Sequence, residues 1–185
     1  LIGALCNNAS AKDSNDKTKL LGDPIEIALI HLANASGTSY EELKLPYERI
    51  GEMPFSSETK IMGTLHKNAN GKFVAAKGSV EHLLEKCNKL QIGTTTIDLS
   101  ELERKKILEE SEKMAADGLR VLAFAYRAEA ELNQDDFLNS LVYVAMIGFL
   151  DPPRLDIKEA ILTCKKAGIR IVMITGDHPL TALNI

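Results

Sequence analysis

Apolar residues recur along this chain at helical spacing in some stretches and in strand-length runs in others. Leu1 to Asn8 opens apolar and turns polar, and Ala9 to Lys19 is small, polar and charged, which predicts a mobile loop. Gly22-Asp23-Pro24-Ile25-Glu26 predicts a helix start, with Asp23 as N-cap, Pro24 in the first turn and Glu26 placed to close a capping box. The helix is expected to run to about Ala35, with Ile25, Leu29 and Leu32 on one face and Gly37 as the stop. Tyr47 to Pro54 reads as extended. Ile61 to His66 and Lys72 to Ala76 read as two strands, with Asn70-Gly71 between them as a hairpin signal. Ser79 to Cys87 predicts a short helix. Leu99 to Ala116 predicts a longer amphipathic helix closed by Gly118, and Leu119 to Arg127 and Leu141 to Leu150 predict further strands.

The pattern changes at Asp151-Pro152-Pro153-Arg154, where two prolines stop any regular element. A helix is expected over Asp156 to Ala167. Gly168 follows, then a strand over Ile169 to Ile174 ending in Thr175-Gly176-Asp177, with a new helix near Pro179. Strand, helix and strand in this order fit a parallel α/β unit. The expected organisation is therefore an α+β domain over 1–150, a mostly antiparallel twisted sheet flanked by helices. A partial α/β domain follows over 151–185, since about 35 residues cannot bury a core of their own.

Composition narrows the classes. The 185 residues are 45% hydrophobic, and 22 Lys and Arg stand against 26 Asp and Glu, a formal net charge of -4. Such a chain has no general attraction for nucleic acid. Cys6, Cys87 and Cys164 show no CxxC spacing, and His31, His66, His82 and His178 show no metal-ligand spacing, so no metal site is expected. No apolar run approaches the roughly 20 residues of a membrane helix, and no signal peptide opens the chain. The expectation is a soluble chain with reduced cysteines.

The familiar nucleotide motifs are missing. Lys72 and Lys77 each neighbour a glycine, but neither lies in a Walker A sequence, and neither a GxSxG elbow nor a protein-kinase motif set is present. Five segments stand out instead. They are Gly22-Asp23-Pro24-Ile25-Glu26; Pro54-Phe55-Ser56-Ser57-Glu58-Thr59-Lys60-Ile61-Met62; Lys77-Gly78-Ser79-Val80-Glu81; Gly118-Leu119-Arg120-Val121-Leu122-Ala123; and Asp151-Pro152-Pro153-Arg154 with Thr175-Gly176-Asp177. In this order and spacing the chain resembles the nucleotide-binding domain of P-type cation-transporting ATPases, running into their phosphorylation domain. It looks closest to the branch of calcium, sodium-potassium and related bacterial pumps. The resemblance implies that the part after residue 150 is a fragment of a Rossmann-like domain of the haloacid dehalogenase type.

The resemblance also implies roles, each beside a plainer reading. Phe55 matches the aromatic on which adenine stacks; its position alone reads as core. Lys60 and Lys77 match two pocket lysines, where cations meet phosphate oxygens or the adenine edge; a lone lysine otherwise reads as a solvated charge. Lys77 ends an apolar strand, and Gly78 after it allows close approach of a ligand or a backbone. Glu26 matches a glutamate that bonds the adenine amino group, against its capping-box reading. Arg120 matches an arginine that reaches phosphate or ribose, against a strand-edge surface role. Asp151 matches an aspartate at the hinge between the two domains. Thr175, Gly176 and Asp177 match a motif beside the phosphorylation site, at a strand end where α/β sheets bind ligands; a simple turn is the alternative for both motifs. Thr59 departs from the family, which commonly has a basic residue there. His178-Pro179 echoes a pair in heavy-metal pumps but sits in the wrong place.

By the same resemblance the ligand is ATP, with Mg2+ in the full-length enzyme. The phosphorylated aspartate would lie upstream of Leu1, and a later Gly-Asp-Gly motif beyond Ile185, so no catalytic residue is expected within the chain. Its partners would be the remaining phosphorylation, actuator and transmembrane domains of an integral membrane pump, with this part on the cytoplasmic side. Alone, it is expected to bind ATP without turning it over. Two rivals stay open. One is a soluble haloacid dehalogenase-type phosphatase, which needs a nucleophilic Asp-x-Asp, whereas Asp135-Asp136 lies in a polar stretch. The other is an interaction domain that binds no nucleotide.

Overall fold

Seven strands form one mixed sheet in the order β3-β4-β5-β8-β9-β6-β7, and only β6 and β9 run parallel. The computed structural model describes residues 1–13, 16–129, 137–150 and 156–174. The strands are β3 (Glu48–Met53), β4 (Ile61–Asn68), β5 (Gly71–Gly78), β6 (Cys87–Ile92), β7 (Thr95–Asp98), β8 (Arg120–Glu129) and β9 (Leu141–Phe149). The fold is α+β with a mostly antiparallel sheet, as the sequence predicts. Strands β6 and β7 escape the sequence reading, because Cys87 to Asp98 alternates weakly and β7 is exposed along its whole length.

Helices cover both faces of the sheet. On one side lie α1 (Ile2–Leu5), α2 (Pro24–Ala35) and α3 (Tyr40–Lys44); on the other lie α4 (Val80–Glu85) and α5 (Glu101–Ala116). Ser100 caps α5, and Gly118 at φ 82° ends it, with Leu119 N–H donating to the Met114 carbonyl. Arg104 of α5 donates to the carbonyls of Leu84 and Cys87, tying α5 to the last turn of α4. The main core lies on this side, built from Ile61, Leu65, Val74, Ala76, Leu83, Leu84 and Leu141.

Three expectations need correction, and a fourth is sharpened. The segment Ala9 to Lys19 is not a loop throughout, because β1 (Ser10–Asp13) and β2 (Asp16–Leu21) pair as an antiparallel hairpin. Polar residues conceal a ladder held by main-chain bonds. The β4–β5 hairpin that Asn70-Gly71 signals does form, with Asn68 paired to Gly71 so that Ala69 and Asn70 make the turn. Asn70 has a negative φ while Gly71 sits at φ 123°, so this is not the Asn-Gly turn with two positive φ values. The inward stripe of α2 is Glu26, Leu29 and Ile30, whereas Leu32 is 52% exposed. Finally, α6 (Ile157–Lys166) forms, but 169–174 joins no ladder. Among the described residues no strand is placed beside it, and an extended segment gains little without one. Its apolar side chains stay exposed, Ile174 at 94%.

Candidate functional site

Strand alternation puts neighbouring residues of β5 on opposite faces of the sheet. Val74 and Ala76 enter the main core, while Phe73, Ala75 and Lys77 face α1 and α2. Lys77 is only 7% exposed, at the end of an otherwise apolar face. Its Nζ donates to Glu26 Oε1 at 2.6 Å, and Glu26 is 9% exposed. This answers the double reading of Glu26. Asp23 caps α2 by accepting from Ile25 N–H at 2.8 Å, but Glu26 turns to Lys77 instead of closing a capping box. A buried ion pair is weak evidence for stability, because its desolvation cost rivals its attraction. Two apolar residues would hold α2 on β5 at least as well.

Lys60 and Gly78 meet through their backbones. Ser56 and Thr59 bond through their hydroxyls at 2.9 Å, Thr59 N–H donates to Ser56 Oγ, and Lys60 N–H donates to the Ser56 carbonyl at 2.8 Å. This turn delivers Lys60 at φ 52°, a left-handed conformation uncommon for a non-glycine residue. Its carbonyl then accepts from Ser79 N–H at 3.1 Å. A Cβ on Gly78 would lie 2.6 Å from that same oxygen. Gly78 is therefore required by close packing of two backbones, the second of the two approaches that the sequence left open for it.

The other expected residues gather at the same end of the sheet. Loop 54–60 joins β3 to β4 beside the end of β5, since Ile61 pairs with Gly78. Phe55 on this loop is 61% exposed, so it is not a core residue. On β8, Phe124 pairs with Lys77 and Ala123 with Gly78, so the strand runs past the end of β5 to Arg120. Arg120 shares the even-numbered face of Phe124 and is exposed. A cavity of about 280 Å³ lies between α1, α2 and β8–β9, with Leu29, Leu32, Phe124 and Ile147 in its wall, and Glu26, Phe55, Lys60, Lys77, Gly78 and Arg120 do not line it. Asp151, Thr175, Gly176 and Asp177 lie outside the described residues.

Sequence reasoning missed the support beneath the pair. Asn7 is 2% exposed and bonds the Glu26 carbonyl, and its only signal is a polar doublet after a short apolar run. His66 is buried two strand positions from Thr64, which shares a hydrogen bond with its Nε2 at 2.9 Å. Burial, with Arg49 nearby, lowers its pKa to about 4, so it is a neutral core histidine at neutral pH. Cys6 and Cys87 are free and buried, and burial pushes their thiols up to about 11 and about 12. Neither is a ready nucleophile. Among the described residues no three His, Cys, Asp or Glu side chains converge. None of the described helices is long and apolar enough to cross a membrane.

Comparison with known proteins fixes the family. Residues 1–156 match the model of the P-type ATPase cytoplasmic domain N. A calcium-transporting ATPase of Bacillus cereus is 38% identical over 183 residues, covering 98% of this chain and 20% of that protein. A cation-transporting ATPase of Synechocystis is 36% identical over 189 residues, covering 100% of this chain and 21% of that protein. A sodium/potassium exporting P-type ATPase of Schizosaccharomyces pombe is 38% identical over 190 residues, covering 98% and 18%. The chain thus spans about a fifth of the length of these relatives. It belongs to the family of P-type ATPase cytoplasmic N domains.

Proposed function

We propose that this member of the family binds ATP at the Lys77 end of its sheet and serves, in a longer cation pump, to carry the nucleotide to the aspartate that accepts its γ-phosphoryl group. The observation that carries this reading is the buried Lys77–Glu26 pair beside the Lys60–Gly78 backbone contact. A cation and a carboxylate held in a protein wall offer opposite polar groups to one ligand. Glu26 Oε1 is bonded to Lys77, and Oε2 can accept from the adenine amino group. Phe55 presents an exposed ring on which a base gains about 1–3 kcal/mol by stacking. Lys60 and Arg120 supply donors for phosphate oxygens. Relatives are named calcium-transporting and sodium/potassium exporting, which supports cation transport by the parent protein.

The division of labour follows from the chemistry. Phosphoryl transfer depends on positioning and charge neutralisation, and the residues here bind and orient. Magnesium supplies charge neutralisation at the phosphates when bound, and its ligands belong outside the described residues. The aspartate that accepts the phosphoryl group, and the hinge at Asp151, belong to the phosphorylation domain. We place the boundary between the two domains near residue 150. In the parent this part would stand on the cytoplasmic side of the membrane.

Calorimetric titration of the chain with ATP tests the reading, alongside Phe55→Ala and Lys77→Ala variants shown to fold by circular dichroism. Saturable binding that weakens in both variants, without release of phosphate, is the expected result. A folded chain that takes up no ATP at millimolar concentration would sink it and favour an interaction domain. Phosphate release from small phosphomonoesters would favour the phosphatase rival.

A further inference from the structure

The Lys77–Glu26 pair depends on how α2 is turned about its axis. A rotation by one residue would bring Ile25 or Ile27 towards β5 in place of Glu26. The cap at Asp23 starts the helix but does not fix that rotation. Asn7 bonds the helix from outside. Its Nδ2 donates to the Glu26 carbonyl at 2.9 Å and to the Gly3 carbonyl at 3.1 Å, and its Oδ1 accepts from Ala9 N–H at 2.8 Å. The amide faces two carbonyls with its nitrogen and one N–H with its oxygen, so a flipped amide would lose all three bonds. The side chain is buried, and unmade bonds there are costly.

Asn7 is itself anchored to the sheet. Arg49 Nη1 donates to the Asn7 carbonyl at 3.4 Å and to Asn8 Oδ1 at 2.8 Å. Glu52 holds Arg49 Nη2 at 2.9 Å and accepts from Asn8 Nδ2 at 3.0 Å. A continuous polar path therefore runs from edge strand β3 through residues 7 and 8 to α2, and on to Lys77 of β5. Arg49 and Glu52 lie on one side of Asn7 and the ion pair on the other.

We propose that Asn7, anchored by Arg49, is a positioning residue that sets the rotation of α2 so that Glu26 meets Lys77. Its consequence for nucleotide affinity rests on the function proposed above; its consequence for the ion pair does not. A purely structural Asn7 would support the fold equally whichever way Glu26 pointed.

The test is NMR of the Lys77 side-chain resonances in the full chain, assigned with Lys77→Met. Glu26→Gln defines the unpaired position. Asn7→Ala and Arg49→Ala are expected to move the resonance towards that position, Arg49→Ala by less. ATP affinity should fall about fivefold in Asn7→Ala, the effect of one lost net hydrogen bond, with no further loss when Asn7→Ala is added to Glu26→Gln. Leu83→Ala, a destabilised control on the opposite face, should leave the resonance in place. An unmoved Lys77 resonance in a folded Asn7→Ala protein overturns the proposal. If Asn7→Ala does not fold, an unmoved resonance in Arg49→Ala overturns it. If the unmodified chain binds no ATP, the nucleotide reading fails alone, and the resonance still decides the role of Asn7.

Discussion

The two faces of strands β4 and β5 are made by the same residues in alternation, yet they differ in kind. Ile61, Leu65, Val74 and Ala76 face α4 and α5 and bury only carbon. Met62, Thr64, His66, Phe73, Ala75 and Lys77 face the other way, and three of these six buried residues are polar or charged. The first face accounts for folding by removing apolar area from water. The second gives up part of that gain to hold an ion pair and a histidine. Most of their polar atoms are paired there: Lys77 has Glu26, and Thr64 shares a hydrogen bond with His66 Nε2, while the buried His66 Nδ1 has no hydrogen-bond partner. One sheet can thus carry a core on one face and a site on the other without a domain boundary between them.

The largest effect should come from splitting the ion pair. Lys77→Met alone leaves a buried carboxylate and should cost about 3–5 kcal/mol by chemical denaturation. Lys77→Met with Glu26→Leu removes both charges and should recover most of that loss, while abolishing ATP binding. On the carbon face, Leu65→Ala should cost a comparable 2–5 kcal/mol, roughly, through the cavity it leaves. The folded fraction of that variant should bind ATP as the parent does. If Leu65→Ala weakens binding as much as the double variant, the two faces are not separable.

A smaller effect should follow pH. His66 is held neutral chiefly by burial, with its pKa lowered from 6.5 to about 4, and Arg49 and Lys44 add to the shift by opposing its charge. The unfolded chain takes up a proton near pH 6.5 that the folded chain refuses. Stability from this site is therefore complete above pH 6.5 and is lost as pH falls towards about 4. Thermal unfolding scans should show this slope, and His66→Gln should flatten it over the same window. The titratable side chains in the core on the carbon face, Cys87 and Tyr143, are pushed up by burial, away from this window.

The sequence made the order of strands and helices legible where apolar spacing was strong, as in β4, β5, α5 and β8. It also named Lys77, Gly78 and Phe55 by motif. It could not show why Gly78 is required, because the Lys60 carbonyl that occupies its Cβ position is 18 residues away along the chain. Glu26 was open between a cap and a ligand contact, since both readings place the same residue at the same helix start. Only the contact with Lys77, 51 residues away, removes the cap. Asn7 was silent for the same reason: all that distinguishes it is long-range burial. The segment 169–174 was over-read, since an apolar run signals a strand but brings no neighbour with which to pair.

Phe55→Ala should have the smallest effect on stability and the cleanest on function. The ring is 61% exposed on loop 54–60, and the turn beneath it is held by Ser56 and Thr59. Truncating it removes no packed neighbour, so denaturant midpoints should move by no more than about 0.5 kcal/mol. ATP affinity should fall by roughly 1–3 kcal/mol, the worth of one stacked base, and GTP or CTP should lose a similar amount where they bind at all. The exposure of the ring makes its proposed stacking role separable from the fold. Loss of stability without loss of affinity would mean that Phe55 closes over the protein in solution, and the base would then need another surface.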